Sequence, residues 1–195
     1  MKDKIIKTLK TVDRPGIDNL IQFLEDSDFF KAPASTKYHG NFEGGLAEHS
    51  WNVYQVFKRK AAAYKLDVPE DSIIIVGLLH DICKVNFYKR DTKNVLKGKK
   101  DNGYGKMVNN WVEEEVWVVE DKFPVGHGEK SIIMLQNYIP LREIEILLIR
   151  WHMGGFEPSE NRIYMYNAIE ICPAVIALHT ADMEVTYFMD KKEED

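Results

Sequence analysis

The chain of 195 residues is 45% hydrophobic, enough for one compact domain with a single core and too short for a second large one. Its formal net charge of -5 excludes a domain that grips duplex nucleic acid by broad phosphate neutralisation, while a small nucleotide or a short single-strand end remains open as a partner. No apolar run is long enough for a membrane span, and Met1-Lys2-Asp3-Lys4 opens a short mixed-charge segment unlike a secretion signal, so a cytoplasmic protein is expected.

In chain order, Gly16 to about Glu25 reads as a first short helix, and Phe29 to Gly45, with its Pro33 and glycines, as loop. From Leu46 to about Tyr64, the apolar Leu46, Val53, Val56 and Phe57 recur at helical spacing, and His49 falls on that stripe. A helix capped near Glu70-Asp71-Ser72 then runs through an almost wholly apolar stretch to His80-Asp81, and should be the most enclosed of the molecule. Tyr, Val and Trp mixed with charges over about 85–123, with a turn at Asp101-Asn102-Gly103, read as a polar β-hairpin. Helical spacing returns over Gly128–Tyr138 and Leu141–His152, followed by a loop holding Gly154, Gly155 and Pro158. The last helix opens at Pro173 and continues to about Met189, and the charged tail Asp190 to Asp195 reads as a solvated helix end. Cys83 and Cys172 lack paired spacing and read as free, buried thiols.

The chemistry begins with carboxylates and imidazoles at positions that should be buried. On the last helix Val175, Leu178, His179, Asp182 and Val185 share one face, so Asp182 is a carboxylate on an apolar stripe, and an enclosed charge without a partner costs several kcal/mol. Its partner is either an Arg or Lys of a neighbouring helix or a metal ion. Singly, His49 and His80 read as core histidines. Jointly, three helices directing His, His-Asp and Asp inward supply two imidazoles and two carboxylates, a set suited to a divalent metal.

The strings Gly44-Gly45-Leu46-Ala47-Glu48-His49-Ser50, Leu78-Leu79-His80-Asp81-Ile82-Cys83-Lys84 and Ala181-Asp182, in this order, resemble the H…HD…D signature of the HD-domain superfamily of metal-dependent phosphohydrolases. The first string is similar to its counterpart in the HD domains of bacterial exoribonucleases, and the layout to small bacterial and phage HD-domain proteins. The resemblance implies a mostly α fold: a single HD-domain helical bundle with a small β-hairpin insertion. In it, residues 1–45 are an N-terminal helix and loop, 46–84 and 127–189 the metal-binding core, and 85–123 the insertion. It further implies that His49, His80, Asp81 and Asp182 ligate a first divalent ion, with Mn, Fe, Mg, Zn and Ni all open. By likeness to the two-metal subgroup, His127 and His152 join Asp81, as a bridge, at a second ion. On their own, His127 reads equally as a polar loop residue and His152 as a helix-end cation.

Two such ions polarise a phosphoryl group and activate water without a protein nucleophile, so Asp81 and Lys84 are the expected catalytic residues on a nucleotide-like phosphoester or phosphoanhydride. Lys84 reads either as a phosphate-binding ammonium or as a snorkelling cation. Weaker substrate candidates are His39, His179, Lys130 and Arg150, with Tyr88, Lys89 and Arg90 as a further rim, Trp111 and Trp117 as stacking platforms, and Glu48 as a hydrogen-bond partner of an imidazole. The alternatives are a di-iron oxygenase on the same ligands, a single-metal nucleotidase or triphosphohydrolase, and a metal-binding regulatory module without turnover.

Overall fold

The structure, a computed structural model, describes residues 1–37 and 39–190, so the tail expected over 191–195 lies outside the described residues. Its helices are α1 (Lys2–Leu9), α2 (Ile17–Asp26), α3 (Gly45–Tyr64), α4 (Glu70–Leu79), α5 (His127–Gln136), α6 (Glu143–Trp151), α7 (Arg162–Ile171) and α8 (Ala174–Glu184). Between α4 and α5 stands a two-stranded antiparallel sheet, β1 (Tyr88–Asp101) and β2 (Met107–Val119). No described helix is long and apolar enough to cross a membrane.

As the apolar run from Ile73 to Leu79 requires, α4 is buried along almost its whole length. It packs on the stripe of α3 that contains Leu46, Val53, Val56 and Phe57. The mixed-charge opening segment departs from the sequence reading, because it forms α1. Ile5 and Leu9, one turn apart, are fully buried, and two turns are too short to show a periodic signal. A second departure is α7, which forms in the stretch before Pro173. It buries Met165 and Ala168 but exposes Ile163, Tyr164 and Tyr166, so its apolar residues do not mark one face.

The start of α4 also differs from expectation, since Pro69 occupies the cap and neither Asp71 nor Ser72 caps the helix. Their side chains belong to a buried network instead. Arg14 donates to Glu145 and Asp71, each at 2.7 Å, and Ser72 Oγ donates to Glu145 Oε1 at 2.6 Å. Three distant segments are thereby joined at one point.

The hairpin is long and mostly exposed, with ion pairs such as Lys89–Glu120 at 3.0 Å on its surface. Its turn extends to Lys106, wider than the tight turn expected at Asp101-Asn102-Gly103, because the Asp101 and Asn102 side chains accept backbone N–H groups from 103 to 106. After Glu184 the α-geometry gives way to a π-turn over Val185–Met189. Asp190, expected on a solvated helix end, is therefore turned inward and buried.

Candidate metal centre

Two helix crossings set the spacing of the candidate ligands, and each depends on a glycine. A Cβ on Gly77 would stand 2.7 Å from the Cα of Tyr54, so only a hydrogen side chain lets α4 approach α3 this closely. A Cβ on Gly128 would likewise meet the Arg150 carbonyl oxygen at 2.6 Å, at the contact of α5 with α6. The first crossing sets His49 of α3 beside His80 and Asp81 at the end of α4. The second sets His127, the first residue of α5, beside His152, the last cap of α6, while α8 adds Asp182.

Asp81 is the hub of this cluster. Its Oδ1 lies 2.5 Å from His127 Nε2 and 3.5 Å from His152 Nε2, and its Oδ2 lies 2.6 Å from Lys84 Nζ and 3.6 Å from His49 Nε2. Asp182 Oδ1 stands 3.1 Å from His49 Nε2. Ligand-type atoms fall within 4.8 Å of one another in three overlapping groups: His49, His80 and Asp81; His80, His152 and Asp182; and Asp81, His127 and His152.

The orientation of the imidazoles is fixed from behind. His80 Nδ1 donates to the Gly77 carbonyl at 3.2 Å and His152 Nδ1 to the Ile149 carbonyl at 2.7 Å, each three residues back, at helix ends where carbonyls lack intrahelical partners. His49 Nδ1 donates to Asp190 Oδ2 at 2.7 Å. In all three rings Nε2 faces the carboxylates, is buried, and makes no hydrogen bond among the described residues. Buried imidazole nitrogens that face no donor and converge on two carboxylates fit a divalent cation in a way that a satisfied polar core would not.

The two carboxylates draw positive charge to the cluster, as a proton on His49 and His152 where no ion is bound. Burial works against the Asp81 and Asp182 carboxylates, yet the neighbouring cations hold both well below the ordinary carboxylate range. For Lys84, burial is outweighed by Asp81, so its ammonium is held charged. Burial lowers His80 to about 4. It also opposes the charged form of His49, but Asp182 and Asp190 prevail and raise that ring to about 9. Burial pushes the Cys83 thiol, 3.4 Å from His127 Nδ1, up to about 12, and both cysteines are free.

The cluster forms the floor of a cleft of about 1500 Å³. Asp81, His127, Asp182, Lys84, His39 and Tyr88 all reach it. His39 is lowered to about 4 by burial and by the nearby His49 and Lys84 charges, and burial raises Tyr88 to about 12. Phe156, Met183 and Phe188 supply an apolar wall.

Other sequence-selected residues lie elsewhere. Arg150 is held by Glu129 at 2.7 Å and Glu157 at 3.0 Å and stacks on Trp151, so its charge is already matched away from the cleft. Lys130 is buried against Phe87 and paired with Asp121 at 2.6 Å. His179 donates from Nδ1 to the His152 carbonyl at 2.8 Å and packs by Phe156, behind the ligand rather than on the cleft wall. Lys89 pairs with Glu120, Arg90 stacks on Trp117, and Trp111 is exposed on the hairpin. Glu48 faces solvent, and the carboxylate that orients an imidazole is Asp190. Nothing in the sequence distinguishes Asp190 from its charged neighbours, because the π-turn that aims it leaves no periodic mark.

The HD domain family model matches residues 46–183. Over 96 residues, or 46% of this chain, the sequence is 35% identical to the dihydroneopterin 2',3'-cyclic phosphate phosphodiesterase of Methanocaldococcus jannaschii, and the match spans 36% of that protein's length. No solved structure matches the chain. The family model covers the three helices that carry the H…HD…D residues, and the chain belongs to the HD-domain family.

Proposed function

We propose that this HD domain is a metal-dependent phosphohydrolase that cleaves a phosphodiester in a small nucleotide-like substrate. His49, His80, Asp81 and Asp182 would hold one divalent ion, and Asp81, His127 and His152 a second. The reading is carried by the convergence of buried, undonated Nε2 atoms on the two carboxylates, with Asp81 in two of the three ligand groups. Divalent ions held there would supply Lewis-acid chemistry to a phosphoryl group and to an attacking water near neutral pH.

The chain's own residues supply the rest. Lys84, charged at the cleft floor, donates to a non-bridging phosphoryl oxygen and offsets charge that develops during cleavage. His39 is uncharged at neutral pH and offers both a donor and an acceptor, and Tyr88 keeps its proton. The apolar wall of Phe156, Met183 and Phe188 takes the face of a heterocycle. The activity for which the Methanocaldococcus jannaschii relative is named, on a 2',3'-cyclic phosphate, supports a phosphodiester as the bond class.

The test pairs elemental analysis with turnover of bis-p-nitrophenyl phosphate and 2',3'-cyclic nucleotides. Asp81→Ala abolishes metal content and hydrolysis together, and an Asp81→Ala protein that works at the wild-type rate refutes the reading. His127→Ala removes one ion per chain and most of the activity. Full activity with a single ion in that variant moves the assignment to a nucleotidase or triphosphohydrolase.

A further inference from the structure

His49 differs from the other two oriented imidazoles in a way that calls for an outside partner. His80 and His152 sit at the ends of their helices, where the carbonyl three residues back is unused and accepts the Nδ1 proton. His49 lies near the start of the twenty-residue α3, whose carbonyls at that point are engaged in the helix itself. Its Nδ1 therefore has no local acceptor.

Asp190 supplies one from the far end of the chain. Its Oδ2 accepts from His49 Nδ1 at 2.7 Å, and its Oδ1 accepts from Asn52 Nδ2 at 3.3 Å, one turn further along α3. The carboxylate is thus held by two residues of one helix face, and its side chain is almost fully enclosed. The Asp190 carbonyl also accepts the Gly40 N–H at 3.4 Å, which ties it to the loop bearing His39. The π-turn makes this reach possible. A continued α-helix would carry position 190 about 140° round from Val185, whereas the bond from Asp190 N to the Val185 carbonyl, at 2.9 Å, returns it to the buried side.

We propose that Asp190 is a positioning residue for the metal centre: its carboxylate fixes the His49 tautomer with the proton on Nδ1, so that the Nε2 lone pair is presented to the ion. The proposal rests on the metal reading above. A carboxylate behind a ligating imidazole both orients the ring and raises its basicity. The segment after α8 thereby completes the centre, coupling ion affinity to the docking of the chain beyond Glu184.

Mn²⁺ affinity by titration calorimetry, together with ¹⁵N NMR of the His49 ring, tests this. Asp190→Ala weakens Mn²⁺ binding about 10–100-fold. In the metal-free protein the neutral His49 ring shows the Nδ1–H tautomer in the wild type, and Asp190→Ala shifts it toward Nε2–H. A purely structural role for Asp190 would leave that tautomer unchanged. Wild-type Mn²⁺ affinity in Asp190→Ala, or an unchanged His49 tautomer, overturns the proposal. Should the alanine variant fail to fold, Asp190→Leu keeps the approximate shape and removes the acceptor, and wild-type affinity there overturns it equally. A wild-type protein that binds no Mn²⁺ sinks the metal reading, and the tautomer comparison still decides the part played by Asp190.

Discussion

Gly77→Ala tests whether close helix contact is what assembles the centre. The new Cβ would lie 2.7 Å from Tyr54 Cα and 3.0 Å from its Cβ, against an ordinary contact of 3.4 Å or more, so α3 and α4 must part by about 0.7 Å. Alanine gains roughly 1 kcal/mol of helix propensity over glycine, but overpacking against a backbone atom that cannot swing away costs about 1–3 kcal/mol. The net expectation is a loss of up to about 2 kcal/mol, which for a chain of this size lowers Tm by roughly 4–8 °C at the upper limit. The functional effect is larger than the stability effect. His49 rides on one helix and His80 with Asp81 on the other, and a site tolerates displacements of only about 0.5 Å. Mn²⁺ affinity should therefore fall about tenfold or more while the protein remains folded. Thermal denaturation of the metal-free protein and calorimetric titration of the same sample measure both. A Gly77→Ala protein that is at least as stable as wild type and binds Mn²⁺ equally well refutes the reasoning.

The metal-free protein should be most stable near pH 6.5. His80, held at about 4, favours the folded state above its ordinary 6.5 and loses that contribution as pH falls toward 4, whereas His49, raised to about 9, favours it below 6.5 and loses that as pH rises through 9. A melting temperature in chelator that climbs steadily from pH 6.5 to 9 contradicts this. Lys84→Gln should leave metal content intact and lower kcat/KM on a phosphodiester about a hundredfold, since it removes one positioned charge; an unchanged kcat/KM would remove Lys84 from the chemistry. Glu145→Ala leaves the buried Arg14 without its principal partner and should cost about 3–5 kcal/mol in urea denaturation. A loss well under 1 kcal/mol would show that the network does not hold the fold.

Much of the centre is legible in the order of residues alone, because helical spacing specifies which face of a segment is buried. His49 among Leu46, Val53 and Phe57, and His80-Asp81 after the apolar run of α4, stand where periodicity places them. Those positions, with Asp182, carry the family signature; His127 and His152 join them only through the resemblance, and the fold gathers all six. Short or unpatterned helices such as α1 and α7 leave no such trace. The expected substrate rim meets a similar limit, since whether a surface cation is free depends on neighbours distant in sequence: Arg150 finds Glu129 and Glu157, and Lys130 finds Asp121. Asp190 is the sharpest case. The sequence by itself determined that imidazoles and carboxylates would be enclosed together, because burial follows a local period. Only the tertiary structure decided what aims them, because the glycine crossings and the bond from Asp190 to His49, 141 residues apart, depend on packing that no local spacing encodes.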